Sequence, residues 1–336
     1  MSTRARKVLV TRAIFPEVVR SLEKRFEVEH NEEDRPWGSD ELARRLQGCA
    51  GVMATVMDKF DEALLERCPE LRAISNIAVG YNNVDVAAAT RRGIRVTNTP
   101  GVLDDTTADL TWALLMAAAR RIAEGDAYVR EGGWKIAFGV QFFLGQDIHH
   151  ATLGIIGMGR IGQAVARRAR GFDMRVVYHN RKPLAAVDEQ RIGASWMEME
   201  HLLAVSDFVV CMVPYSPATH HLIGAAQIAK MKPTAILVNS ARGGVVDDAA
   251  LVAALTAKRI AGAGLDVFEG EPGLHPGFLE LRNVVMTPHI GSASRATRLM
   301  MCETAAANLA AVLDGSRPAH LVNPQAEQQH QTQGNP

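Results

Sequence analysis

Twice along the chain, short runs rich in Val, Ile and Ala alternate with helical patterns, and this alternation constrains the fold more than any other feature. In the first series residues 7–11, 51–56, 72–78 and 95–98 read as strands, with helical stretches such as 41–46 and 84–92 between them. In the second, residues 151–157, 175–178, 207–213, 235–239, 262–267 and 284–287 read the same way. A parallel pair needs a crossover long enough to hold a helix, so strand–helix alternation implies parallel sheets covered by helices. The expected fold class is α/β, with two doubly wound parallel-sheet domains, and 336 residues are enough for two cores. Between the two series lies a long apolar helix, about 106–121, beginning just after the capping residues Asp104, Asp105 and Thr106. A last helix, about 296–313, carries an apolar stripe, whereas residues 324–336 have almost nothing to bury and are expected to form a disordered tail.

Charge and cysteine usage exclude several classes of protein. The 37 Lys and Arg offset the 37 Asp and Glu, so no broad cationic surface exists to attract nucleic acid or anionic lipid. Neither nucleic acid nor membrane is an expected partner. Cys49, Cys68, Cys211 and Cys302 are far apart and form no C-x-x-C pair, which fits reduced, buried thiols in a cytoplasmic protein. Residues 1–7 are basic, but no signal-peptide core follows them and no apolar run is long enough to span a bilayer.

Gly157-Met158-Gly159-Arg160-Ile161-Gly162 is a G-x-G-x-x-G directly after an apolar run and directly before a helical pattern at 161–170. The first glycine permits a tight turn, the second lets the backbone approach a pyrophosphate, and the third lets helix pack on strand. The helix N-terminus then offers free N–H groups to the phosphates. A glycine turn alone also occurs for packing reasons; with the strand before it and the helix after it, the loop reads as a dinucleotide site. In NAD sites the next strand ends in an acid that accepts from the ribose hydroxyls. Here it ends Tyr178-His179-Asn180-Arg181-Lys182, without a carboxylate. Asn180, Arg181 and Lys182 thus form a place that would attract a 2′-phosphate, and NADPH is expected to be preferred, with NADH possible. The plain alternative is that Arg181 and Lys182 are a solvated loop pair.

Three later segments carry candidate chemistry. Arg242, in Asn239-Ser240-Ala241-Arg242-Gly243-Gly244, follows an apolar strand and is placed to clamp an anion at its carboxyl end. Asp266, Glu269 and Glu271 follow the next strand, and His289 the one after. Reduction of a 2-keto acid needs a cation for the carboxylate, a proton donor for the ketone oxygen, and an acid that keeps that donor charged. Singly, each of these residues could be an inert loop side chain. The pairs His149-His150 and His220-His221 invite a metal reading, but no further ligand accompanies them and no metal is expected.

GMGRIG, NSARGG, GLDVFEGEP and TPHIGSAS, together with NIAVGYNNVD and TNTPGVLDDTTADLTWAL, resemble the D-isomer-specific 2-hydroxyacid dehydrogenase family, most of all its glyoxylate/hydroxypyruvate/2-ketogluconate reductase branch. The resemblance runs from about residue 7 to 323. It implies a flavodoxin-like substrate domain, residues 1–99 and 290–323, with a Rossmann-type dinucleotide domain inserted at 100–289. It also implies an active site in the cleft and a homodimer. The catalytic trio carries over onto Arg242, Glu271 and His289, with Glu269 left as the exposed acid. Cofactor contacts fall on Thr107, Gly157, Gly159, Arg160, Ile161, Gly162, Asn180, Arg181, Lys182, Val213, Pro214, Thr219, Ser240, Ala241, Asp266 and Gly291. Substrate contacts fall on Val79, Gly80, Arg242 and His289. In some relatives a partner's Trp reaches the pocket; Trp134, Phe138, Phe142 and Phe143 are the aromatic candidates here.

Other relatives fit less well. Residues 75–83 contain no Lys or Arg, which disfavours phosphate- or phosphonate-bearing substrates. Glu271 stands where formate dehydrogenases of the family keep a Gln. The alternative from another class is a non-catalytic nucleotide-sensing regulator on the same fold.

Overall fold

The structure, a computed structural model, describes residues 6–135 and 139–326. The elements run β1 (Lys7–Val10), α1 (Pro16–Glu23), β2 (Glu27–His30), α2 (Ser39–Arg45), β3 (Cys49–Ala54), α3 (Glu62–Glu66), β4 (Ala73–Asn76), α4 (Val86–Arg91) and β5 (Arg95–Thr97). Next come α5 (Asp104–Ala119), α6 (Ile122–Arg130), β6 (Thr152–Ile156), α7 (Arg160–Ala169), β7 (Arg175–His179), α8 (Ala186–Ile192), β8 (Ala194–Trp196), α9 (Met199–Val205) and β9 (Phe208–Cys211). The chain ends through α10 (Ala225–Ile228), β10 (Ile236–Asn239), α11 (Asp248–Thr256), β11 (Gly262–Leu265), β12 (Val284–Met286) and α12 (Arg295–Leu313). They fall into two compact units: one of the residues up to Leu103 together with those from Ser294 on, the other Asp104–Ala293.

In the first unit the strand order is β2-β1-β3-β4-β5, all parallel. Its strands are apolar on both faces because helices cover both. Leu42, Leu64, Leu65 and Ala88 pack on one side. Cys302, Ala305 and Leu309 of α12 pack on the other with Val18 and Leu22 of α1. Asp61 and Asp85 cap α3 and α4 by accepting from the N–H of Leu64 and Ala88. The edge strand β2 was not expected: its sequence EVEH has one apolar residue, and an edge position needs little burial.

In the second unit the order is β12-β11-β10-β9-β6-β7-β8, again all parallel. The chain enters at the interior strand β6, builds outward to β8, then returns to β9 on the other side of β6, so the direction of winding reverses between β6 and β9. Ligands of open parallel sheets bind beyond the carboxyl ends at such a reversal. The three-residue edge strand β8 also escaped the sequence pattern. Helix α5 packs over β10 and β11 and along α7, where Trp112 Nε1 donates to Val165 O (3.0 Å) and the indole stacks on Phe172 at 4.9 Å.

Several expectations need correction. Helix α5 starts at Asp104, so Asp104 and Asp105 lie in its first turn rather than before it, where their charge favours the helix N-terminus. The junctions between units fall a few residues later than 99 and 289. Thr99 N–H is bonded to Ala78 O, and the N–H groups of Ile290 and Gly291 are bonded to Asp266, which keeps each segment with the sheet it has just left. Of the expected tail, Ala326 is buried with its N–H on Asn323 O, and 327–336 lie outside the described residues. All four cysteines are buried and unpaired. Among the described residues no helix is long and apolar enough to cross a membrane.

Candidate active site

Three adjacent strands of the second unit, β10, β11 and β12, end in the segments that hold Arg242, Asp266 and His289. His289 Nδ1 lies 2.6 Å from Glu271 Oε2, while Glu271 Oε1 accepts from the Phe268 N–H at 2.9 Å. Both carboxylate oxygens are therefore held, and the imidazole is oriented through one nitrogen, leaving Nε2 for chemistry. The His289 side chain is 33% exposed. Its backbone has φ of +53°, a conformation that non-glycine residues adopt at a cost and that recurs at functional positions. Its N–H donates to Asp266 O (2.9 Å).

Burial raises the Glu271 pKa, but the hydrogen bond and charge of His289, the Phe268 N–H and the charge of Arg242 outweigh it, so the carboxyl is held below its ordinary value. Asp266 is shifted the other way. It is 1% exposed, and burial raises its pKa despite the Thr287 hydroxyl (2.6 Å) and the N–H groups of Ile290 and Gly291 (2.8 Å each). Burial lowers the affinity of Arg242 for its proton and the charge of Glu271 opposes this; a guanidinium nevertheless stays charged.

The Arg242 turn is built locally. Asn239 Nδ2 donates to Arg242 O (3.1 Å), Asn239 Oδ1 accepts from Ala241 N–H (3.1 Å), and Arg242 NH1 donates to Ala241 O (2.7 Å). A Cβ at Gly243 would stand 1.8 Å from Phe268 O, so only glycine lets this turn lie against the segment that carries Glu271.

Glu269 is the more exposed of the two acids, as expected, its side chain 38% exposed against 21% for Glu271, but it is paired. It lies 2.5 Å from His221 Nε2, and His221 also faces Asp247 at 3.6 Å and gives its N–H to Gly244 O (2.7 Å). The loop therefore has two His–Glu pairs, and the choice of Glu271 over Glu269 is a choice between two ordered acids. Among the described residues no group of three or more His, Cys, Asp or Glu could hold a metal ion.

The glycine turn fits a dinucleotide. A Cβ at Gly157 would stand 2.7 Å from Met212 C, and one at Gly162 only 2.3 Å from Gly157 O, whereas one at Gly159 would meet nothing within 4 Å. The first and third glycines are needed by packing; the second leaves open space in front of an α7 N-terminus that no side chain caps. Val213 adjoins Gly157, and Thr219 closes the loop after β9 by donating to Pro214 O (2.8 Å) and accepting from Ser216 N–H (2.8 Å). Thr107, Asp266 and Gly291 stand together, since a Cβ on Gly291 would lie within 3.4 Å of both other side chains. Ser240 Oγ meets Thr111 Oγ1 at 2.7 Å, next to Ala241. Beyond Arg160 and Ile161, which open α7, lies the end of β7, where Arg181 and Lys182 are exposed. Asn180 does more than replace an acid: its Oδ1 accepts from Met158 N–H (2.8 Å), a role its place in the sequence did not reveal.

Val79 and Gly80 belong to the first unit, in the loop after β4. Asn98 Nδ2 donates to Val79 O (2.8 Å) and Asn76 Nδ2 to Gly80 O (2.7 Å); neither amide stood out in the sequence. Of the aromatic candidates, Trp134 is exposed, Phe142 and Phe143 pack on Tyr128 of α6, and Phe138 lies outside the described residues.

Residues 112–291 match the family described as D-isomer specific 2-hydroxyacid dehydrogenase, NAD binding domain. A glyoxylate reductase of Korarchaeum cryptofilum is 48% identical over 320 residues, which cover 94% of this chain and 96% of the relative. The crystal structure of a Thermus thermophilus protein matches with a TM-score of 0.87 at 46% identity, covering 94% of this chain and 99% of that one. The NADPH-dependent glyoxylate/hydroxypyruvate reductase of Sinorhizobium meliloti, solved with NADP and malonate, matches with a TM-score of 0.85 at 32% identity, covering 96% and 98%. The family match and these relatives define an NAD(P)-dependent oxidoreductase. The chain belongs to the D-isomer-specific 2-hydroxyacid dehydrogenase family.

Proposed function

We propose that this protein reduces small 2-keto acids to 2-hydroxy acids, with glyoxylate and hydroxypyruvate as the leading substrates, 2-ketogluconate within its range, and NADPH as the preferred reductant. The observation that carries the reading is the His289–Glu271 contact of 2.6 Å at a strand end adjoining those of Asp266 and Arg242. A reduced nicotinamide, when bound, supplies the hydride to the carbonyl carbon. His289 donates the proton to the ketone oxygen from Nε2, and Glu271, in contact with Nδ1, fixes which nitrogen faces the substrate. Arg242 holds the anionic end of the keto acid and draws charge toward the carbonyl oxygen as it becomes an alkoxide. The N–H groups of Val79 and Gly80 receive the substrate carboxylate. Asp266, by its resemblance to the family residue beside the nicotinamide, accepts from the nicotinamide carboxamide.

Preference for NADPH is supported by the missing carboxylate at the end of β7 and by exposed Arg181 and Lys182 beside Asn180. Glyoxylate is supported by relatives named glyoxylate reductase at 48% identity. A homodimer, formed through the second unit, is supported by exposed apolar side chains on and after α6, among them Ile122, Val129, Trp134 and Phe142. A kcat/KM panel of glyoxylate, hydroxypyruvate, 2-ketogluconate and phenylpyruvate with both cofactors tests the reading. No turnover of any of them would return the protein to the class of nucleotide-sensing regulators.

A further inference from the structure

Three consecutive carbonyls after β4 are each taken by a donor from within the first unit. Thr99 N–H donates to Ala78 O (2.9 Å), Asn98 Nδ2 to Val79 O (2.8 Å) and Asn76 Nδ2 to Gly80 O (2.7 Å). A trans peptide is planar with its C=O and N–H pointing in opposite directions. Fixing these three carbonyls therefore fixes the N–H groups of Val79, Gly80 and Tyr81, each aimed away from its anchor. None of the three N–H groups has a hydrogen-bond partner among the described residues. Tyr81 is 42% exposed, and Val79 and Gly80 are partly exposed.

The anchoring is elaborate for a simple turn. Asn76 is 0% exposed, and behind it Asn83, itself buried, meets it at 3.2 Å while donating to Thr55 O and Asp58 O at 3.0 Å each. A buried amide is tolerated only with its hydrogen bonds made, so the Asn76–Asn83 pair ties the loop rigidly to β4. With no Lys or Arg in residues 75–83, the loop meets an anion with peptide dipoles alone, which suits one carboxylate better than a phosphate.

We propose that Asn76, backed by Asn83 and acting with Asn98, is a positioning residue that presents a row of three N–H donors to the carboxylate of the keto acid. Tyr81 N–H is the third donor, beyond the two of Val79 and Gly80. The proposal deepens the keto-acid reading and rests on it.

The test is steady-state kinetics of the full chain and of Asn76→Ala and Asn98→Ala, with glyoxylate as substrate and oxamate as an unreactive carboxylate. Each variant should raise the KM for glyoxylate and the inhibition constant of oxamate about tenfold, the effect of misaligning a charge-assisted hydrogen bond. The value of kcat should stay within about threefold, since an interaction common to bound substrate and transition state acts on KM. The NADPH Kd should not move. A drop in kcat with KM and oxamate inhibition unchanged overturns the proposal, because general loosening would not spare carboxylate binding. If Asn76→Ala does not fold, Asn98→Ala, at a partly exposed position, decides the matter. If the unmodified protein turns over no 2-keto acid, the keto-acid reading fails instead, and oxamate binding measured calorimetrically, with its loss in Asn98→Ala, still judges the donor row.

Discussion

Asn180 Oδ1 accepts the Met158 N–H at 2.8 Å, so the first residue after β7 also holds the glycine turn after β6. An aspartate at this position keeps an oxygen acceptor for Met158, and Asn180→Asp should leave the turn intact while adding a negative charge beside Arg181. Combined with Arg181→Ala, it removes an attraction for the 2′-phosphate and adds a repulsion. The ratio of kcat/KM for NADPH over NADH should fall by about tenfold or more, the scale of a lost charge-assisted contact. Equal or better use of NADH by the unmodified protein would contradict the basis of this prediction.

Much of the site was legible because its signals are local. The three glycines, the strand before them and the helix after them stand within residues 151–170, and each of Arg242, Asp266 and His289 follows an apolar strand closely enough to be placed at its end. Glu271 was separated from Glu269 only by resemblance, since both acids lie in one loop and each pairs with a histidine. The anchors were not legible. Asn98 reaches Val79 and Asn180 reaches Met158 across 19 and 22 residues, and amide contacts at such separations leave no periodicity. Strands β2 and β8 were missed for the related reason that edge strands carry little apolar pattern.

Arg242 uses NH1 on its own loop, at Ala241 O, and its other side-chain nitrogens make no hydrogen bond among the described residues. Arg242→Ala should raise the KM for glyoxylate and lower kcat/KM by about a hundredfold, as for loss of a buried bidentate ion pair. Arg242→Lys should restore little, because an ammonium cannot reproduce the planar fork. Full activity in the lysine variant would show that charge alone suffices.

Gly243→Ala tests the contact between the Arg242 turn and the Phe268–Glu271 segment. Its Cβ would stand 1.8 Å from Phe268 O, a backbone atom that cannot give way cheaply. The two segments must separate, displacing Arg242 from one side and the Glu271 support from the other. We expect kcat/KM for glyoxylate to fall by about a hundredfold, as for displacement of catalytic groups by about 1 Å. The Kd for NADPH should change less, since the glycine turn lies at another strand end and only Ser240 and Ala241 of the cofactor contacts share the displaced turn. An unchanged kcat/KM would mean that the loops part without moving the catalytic side chains.

The pH dependence follows from the sign of the Glu271 shift. Burial alone would raise its pKa, but His289, the Phe268 N–H and Arg242 bring it below the ordinary value, so the carboxylate persists into acid where a free glutamate, near 4.3, would be half protonated. The stability that the pair contributes is therefore complete above the unfolded Glu value and lost as pH falls through the lower, folded one. Reduction of glyoxylate needs the charged imidazole beside that carboxylate, and its acid limb should lie below the ordinary glutamate range. Glu271→Gln removes the carboxyl whose lowered pKa sets that acid limb, so the limb should vanish from the reductive kcat/KM profile. His289→Ala should lose about a hundredfold or more at every pH, the usual scale for general acid catalysis. An unshifted profile in Glu271→Gln, together with a shifted one in Glu269→Gln, would transfer the role to the other His–Glu pair of the loop.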